Sequence, residues 1–217
     1  MKKGKTELVF ILDRSGSMSG LETDTIGGFN AMLKQQKEVD GECFITTVLF
    51  DHEVMLLHDR IDIQAVSPMT AKQYFVRGST ALLDAAGSTI NKIISVQRNT
   101  AEEHQAEKVL FVIITDGEEN SSREYSLEKV RQMIEHQKEH YNWEFIFLGA
   151  NIDAVSAAAG LGIHSDRSQN FVADRLGTNL NFRVMSEAVE SYRMGSAMPE
   201  DWKDEIDRDY KKRKKSK

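Results

Sequence analysis

The chain has 217 residues, with 28 Lys+Arg against 34 Asp+Glu and a net charge of −6. That length favours one large domain and can bury a core without disulfides or structural metals. The 40% hydrophobic content excludes a disordered chain. A mean hydropathy of −0.44 excludes a multi-span membrane protein, and a pI near 5.6 argues against a dedicated nucleic-acid binder.

Cys43 is the single cysteine, so no intrachain disulfide forms and no oxidising compartment is needed. Lys2, Lys3 and Lys5 precede the apolar run Leu8-Val9-Phe10-Ile11-Leu12 in the manner of a signal peptide. Asp13 and Arg14 stop that run early, and no small-residue cleavage site follows. No other stretch approaches the ~20 apolar residues of a membrane span. The expectation is a cytoplasmic protein without membrane contact.

In chain order, residues 8–12, 109–114 and 145–148 are short, continuous apolar runs without polar alternation. Such runs suit strands buried on both faces of a parallel sheet. Ile26, Phe29, Leu33 and Val39 stripe a helix within residues 25–40. Gly27-Gly28 inside it points to close packing or a ligand's approach. Residues 46–50 and 54–57 flank Asp51-His52-Glu53 as an edge hairpin. Leu82, Leu83, Ala86, Ile90, Ile93 and Ile94 stripe a second helix. Leu127, Val130 and Ile134 mark the core face of a third, with Ser126 as its N-cap. Residues 154–160 read as a short helix with Gly160 as C-cap, residues 174–194 as one or more helices, and Met198-Pro199-Glu200-Asp201 as a fresh helix start. Residues 211–217 form a basic tail without apolar residues. The predicted fold class is α/β: a doubly wound, Rossmann-like sheet, mostly parallel with one antiparallel edge strand and helices on both faces. The predicted domain spans residues 1–195, and residues 196–217 add a C-terminal helix and basic tail.

In open α/β sheets, ligands sit beyond the carboxyl ends of the strands. Asp13-Arg14-Ser15-Gly16-Ser17 follows the first run, and Thr115-Asp116-Gly117-Glu118-Glu119-Asn120 follows the run at 109–114. Arg77-Gly78-Ser79-Thr80 precedes the second helix. These segments offer carboxylates and hydroxyls without sulfur, a donor set that selects Mg²⁺, Mn²⁺ or Ca²⁺ over zinc or copper. The same residue types also serve as turn and capping residues. Glu118 and Glu119 read as solvated loop charges beside the site. Arg14 and Arg77 read as surface arginines, with attraction of an acidic partner as the alternative.

Asp13-x-Ser15-x-Ser17 after a strand, then Gly78-Ser79-Thr80, then Thr115-Asp116-Gly117 after another strand resemble the von Willebrand factor type A domain. The likeness is to its metal-ion-dependent adhesion site, in the family's order, over about residues 6–195. The segment Phe147-Leu148-Gly149-Ala150-Asn151 and Asp153 resemble the strand and loop of bacterial, cytoplasmic members. The resemblance implies that Ser15 and Ser17 bind Mg²⁺ (or Mn²⁺) through hydroxyls. It implies that Asp13, Thr80 and Asp116 coordinate directly or through water, and that an acidic residue of a partner protein fills the open position. The implied function is a non-enzymatic, metal-dependent protein-binding module. The alternative is a magnesium-dependent phosphatase of the haloacid-dehalogenase type, but that family has a second aspartate where this chain has Ser15.

Other features carry less. His136-x-x-Glu139-His140 matches a zinc motif, yet its histidines fall away from the core stripe and read as a solvated face. Asp51 reads as a turn residue, and Asp84 as a helix-surface or supporting hydrogen-bonding group. Cys43 reads as a buried thiol, and Met18 and Met69 as core fillers or an interface rim.

Overall fold

The computed structural model describes residues 4–195 and 198–214. Lys2 and Lys3 of the N-terminal run, and the end of the expected tail from Lys215 onward, lie outside the described residues. Among the described residues there are six strands and six helices, in the order β1 (Thr6–Asp13), α1 (Glu22–Glu38), β2 (Cys43–Phe50), β3 (Val54–Asp62), α2 (Leu82–Asn99), β4 (Lys108–Thr115), α3 (Leu127–Tyr141), β5 (Glu144–Ala150), α4 (Ala154–Gly160), β6 (Ser168–Phe171), α5 (Arg175–Arg193) and α6 (Asp204–Lys214). No helix among them is long and apolar enough to cross a membrane.

The sheet runs β3-β2-β1-β4-β5-β6. β3 pairs antiparallel with β2, and every other pairing is parallel. The doubly wound α/β fold expected from the sequence is therefore the fold observed. Strand order reverses between β1 and β4, which makes their carboxyl ends the switch point where such sheets open a ligand crevice.

Both faces of the sheet are covered. Leu8, Phe10 and Leu12 of β1, with Leu110, Val112 and Ile114 of β4, point to a layer that includes α1, α5 and α6. Val9 and Ile11, with Val109, Phe111 and Ile113, point to the layer of α2, α3 and α4. Two-faced burial explains why the central strands are continuous apolar runs. α1 packs closely on α5: a Cβ added at Gly28 would lie 2.4 Å from the Phe182 ring. Met18, Met69 and Cys43 are buried, and burial pushes the Cys43 thiol up to about 12.

Several details differ from the sequence expectations. Leu127 is 48% exposed rather than on the core face, because Val130, Met133, Ile134 and Gln137 carry that contact. Gly160 lies inside α4, and the left-handed residue after the helix is Gly162, at φ 76°. β6 was not foreseen. The helix expected at Met198-Pro199 begins later, at Asp204, after a turn in which Trp202 donates to the Pro199 carbonyl. Trp202 and Ile206 join the core layer of α1 and α5. Arg213, in the basic tail, pairs with Asp174 at 2.5 Å and with Asp209. His136 and His140 do lie exposed on α3, their rings stacked at 4.3 Å.

Gly28→Ala tests the α1–α5 contact. Better helix propensity contributes about 1 kcal/mol, but overpacking costs about 1–3 kcal/mol. Net destabilisation is expected in chemical denaturation. Glu7 supplies a second test. It is fully buried in β1, bonded by Arg60 at 2.9 Å, and burial pushes its carboxyl up to about 7. From the ordinary value of 4.5 up to about 7, the folded chain keeps a proton that the unfolded chain releases. Stability therefore falls as pH rises through that window. Glu7→Gln is expected to remove that part of the slope, worth on the order of 2 kcal/mol, when denaturation midpoints are compared at the two ends of the window.

Candidate metal centre

β1 and β4 lie side by side in parallel, with Leu12 opposite Ile114. Their next residues, Asp13 and Thr115, thus emerge together at the switch point. The Thr115 hydroxyl donates to Asp13 Oδ2 at 2.6 Å, and the Ser15 backbone N–H donates to Asp13 Oδ1 at 2.6 Å. The Tyr74 hydroxyl donates to the Asp13 carbonyl at 2.5 Å. These contacts fix both oxygens of a buried carboxylate. Beyond it the chain makes one 3₁₀ turn at Gly16–Met18 before α1. That turn brings Ser15 Oγ to 3.0 Å from Ser17 Oγ, and Ser17 Oγ donates to Asp116 Oδ1 at 2.6 Å.

Thr80 arrives from a separate loop. Its backbone N–H is held by Asn120 Oδ1 at 2.9 Å, and its carbonyl accepts from the Asn120 N–H at 3.0 Å. The hydroxyls converge on Gly117: a Cβ there would lie 2.9 Å from Thr80 Oγ1, 3.1 Å from Ser17 Oγ and 3.8 Å from Ser15 Oγ. Asp13, Ser15, Ser17, Thr80 and Asp116 are therefore brought together by the fold. Sequence reasoning missed Thr115, Tyr74 and Gly117 as supporting residues; Thr115 and Gly117 flank Asp116 directly, but nothing local marks Tyr74.

The electrostatics fit a hard cation. Asp116 Oδ2 is buried and makes no hydrogen bond among the described residues. Burial pushes the Asp116 carboxyl up to about 6, against the Ser17 hydroxyl, and the charge on Asp13 adds to the rise. Burial likewise raises Asp13, opposed by its bonds to Thr115 and Ser15. Two desolvated carboxylates, one with an orphaned oxygen, and three hydroxyls form an all-oxygen donor set suited to Mg²⁺ or Mn²⁺. Asp51, His52 and Glu53 also cluster closely enough to hold a metal ion. Their carboxylates are already engaged by Arg77, and Asp51 by Arg14 as well.

That engagement corrects the reading of Arg14 as a surface arginine, whereas Arg77 stays at the surface with 39% of its side chain exposed. Arg14 is buried, its Nε 2.8 Å from Asp51 Oδ2 as an ion pair rather than an aligned hydrogen bond. Arg77 Nε donates to the same oxygen at 2.9 Å. The Asp51 carbonyl accepts from the Ala81 N–H at 2.8 Å, the Arg14 carbonyl from the Arg77 N–H at 2.9 Å, and the Gly78 carbonyl from the Gly16 N–H at 3.0 Å. The loops bearing Ser15 and Thr80 are thereby tied to each other and to the hairpin. Gly78 sits at φ 65°, where a Cβ would collide with His52. Glu119 is not a solvated charge either: it accepts from Leu83 N–H at 2.9 Å, at the start of α2, and from Ser121 and Ser122. Asp84 accepts from the backbone of Arg123, Glu124 and Tyr125.

No family model matches the sequence, and no curated protein matches it. Solved structures do. A von Willebrand factor type A protein from Catenulispora acidiphila superposes with a TM-score of 0.61 at 14% identity, covering 87% of this chain and 43% of that one. The fold is that of a von Willebrand factor type A domain. Proximal thread matrix protein 1 from the mussel byssus, with a zinc-occupied MIDAS motif, has a TM-score of 0.57 at 12% identity over 88% of this chain and 46% of that one. Manganese-loaded Plasmodium vivax TRAP protein has a TM-score of 0.59 at 17% identity over 84% of this chain and 74% of that one. The chain thus spans less than half the length of the first two proteins. In this von Willebrand factor type A fold the oxygen cluster stands where β1 and β4 end.

Gly117→Ala probes the cradle without removing a donor. Its methyl would occupy the space between Thr80 and Ser17. The expected outcome is a folded protein whose Mg²⁺ affinity falls at least about tenfold, or about 1.4 kcal/mol, by titration calorimetry.

Proposed function

We propose that this protein is a non-enzymatic, metal-dependent protein-binding module. In this reading Asp13, Ser15, Ser17, Thr80 and Asp116 hold Mg²⁺ or Mn²⁺, and an acidic residue of a partner protein completes the coordination. The observation that carries it is the convergence of three hydroxyls on Gly117 beside the orphaned Asp116 Oδ2. Zinc in the mussel protein's MIDAS motif and manganese in the TRAP protein support metal binding by a domain of this fold. The oxygen-only donor set favours Mg²⁺ or Mn²⁺ for this chain.

The bound cation supplies a positive attachment point for a carboxylate. The protein's own residues set its strength. Three of the five donors are neutral hydroxyls, so few anions compete with the incoming acid. Thr115 and Tyr74 hold Asp13 in place, and the paired loops hold Ser15 and Thr80 in register. The phosphatase alternative needs an acid/base at position 15, where Ser15 instead contacts Ser17. The module comprises residues 1–195, with 196–217 as its C-terminal helix and basic tail. A cytoplasmic location belongs to the same proposal and rests on the single buried thiol.

Thermal unfolding tests the metal assignment. Mg²⁺ or Mn²⁺ at a hundredfold excess over Kd is expected to stabilise the fold by about 2.7 kcal/mol. Asp13→Ala and Asp116→Ala are expected to lose that response. A wild-type shift retained in both variants would remove the assignment.

A further inference from the structure

Beside the oxygen cluster lies a groove of ≈ 380 Å³ between the starts of α2 and α3 and the body of α4. Its volume falls within the range of about 300–1,000 Å³ typical of ligand sites. Leu82 and Leu83 form one wall, Leu127 another, and Ile152, Ala157 and Leu161 the third. Gly117 lines the groove and is also the residue on which the three hydroxyls converge. The two surfaces are therefore continuous. A chain anchored at the cluster is within reach of the groove.

The polar groups around the groove are largely consumed within the fold. Glu119 is spent on the start of α2 and on Ser121 and Ser122. Asp153 caps α4 by accepting from the Ser156 N–H at 3.1 Å. No basic side chain lines the groove, while Glu118 and Asp153 add negative charge at its edge. The periodicity of α3 puts Leu127 on a core-like stripe, yet the fold leaves it half exposed as a groove wall. Such a surface rejects a second acid and rewards an uncharged apolar side chain.

We infer that this groove is a specificity subsite, so that the partner segment carries a bulky apolar residue (Leu, Ile, Met or Phe) adjacent to its metal-binding acid. The inference rests on the metal-site reading above. The acid supplies an ion-dependent anchor common to many partners. The apolar neighbour selects among them.

The 217-residue chain is immobilised with Mg²⁺ and exposed to a displayed peptide library with a fixed central glutamate and random flanks. Bound peptides are eluted with EDTA and sequenced. The expected pool is enriched in bulky apolar residues next to the glutamate or one residue beyond, and depleted of acids there. A synthetic peptide from that pool is expected to weaken about tenfold, or about 1.4 kcal/mol, when its apolar residue becomes alanine. Leu127→Gln alters an exposed wall, and Gly160→Met fills the groove from the opposite side, where an added Cβ meets only Leu127, at 3.8 Å. Both variants are expected to keep the wild-type Mg²⁺ thermal shift and to lose the apolar enrichment. An EDTA-eluted pool without apolar enrichment, or enrichment unchanged in both variants, would overturn the subsite and leave the metal site standing. Absence of any EDTA-eluted pool would overturn both.

Discussion

Two carboxylates forced together where adjacent parallel strands end are the constraint on which the rest of this end of the molecule depends. β1 and β4 run in step, so Asp13 and the Thr115-Asp116 pair have no freedom to separate. Each carboxylate is buried, and each is raised by that burial. Hydrogen bonds from Thr115, Ser15 and Ser17 offset part of the cost. They leave Asp116 Oδ2 without a hydrogen bond among the described residues. A fold that maintains such a site is poised for a cation, because a cation relieves both the repulsion and the desolvation.

The hydroxyls reach that site only because three loops are locked against one another. The buried ion pair of Arg14 with Asp51 lies at the centre of the lock, with Arg77 on the same carboxylate. Buried pairs of this kind add little net stability, yet losing one partner costs about 3–5 kcal/mol. Their value here is positional. Arg14 sits between Asp13 and Ser15, and the Asp51 carbonyl holds the residue after Thr80. The same ion pair therefore sets the separation of two loops of the oxygen cluster that share no sequence neighbourhood.

The apolar groove follows from the same packing. α2 must start close to the cluster to present Thr80, and Glu119 fastens that start. α3 begins with its first residue outside the core, and α4 is short and rich in alanine. Short side chains on α4 cannot cover Leu82, Leu83 and Leu127, so an apolar surface remains beside the charged one. The oxygen cluster and the apolar surface thus stand side by side, joined at Gly117.

Local pattern determined a large share of this protein. Continuous apolar runs located β1, β4 and β5, because a strand buried on both faces has no polar alternation. The periodic stripes located α1, α2 and α3, and the segments after β1 and β4 with the loop before α2 named the five side chains that the fold brings together. Tertiary structure alone decided the remainder. Ser168-Gln169-Asn170-Phe171 has no strand signature; it is β6 because β5 offers an open edge, Lys203 donates to the Ser168 carbonyl and Trp202 holds the preceding turn at the Asp166 carbonyl. Arg14 reads as a solvent-facing arginine until the hairpin delivers Asp51 to it. Leu127 reads as core until α4, with no large side chain opposite, leaves it half exposed. Periodicity and motif spacing are properties of one segment, whereas the burial of a charge or the exposure of a leucine depends on what a distant segment places against it.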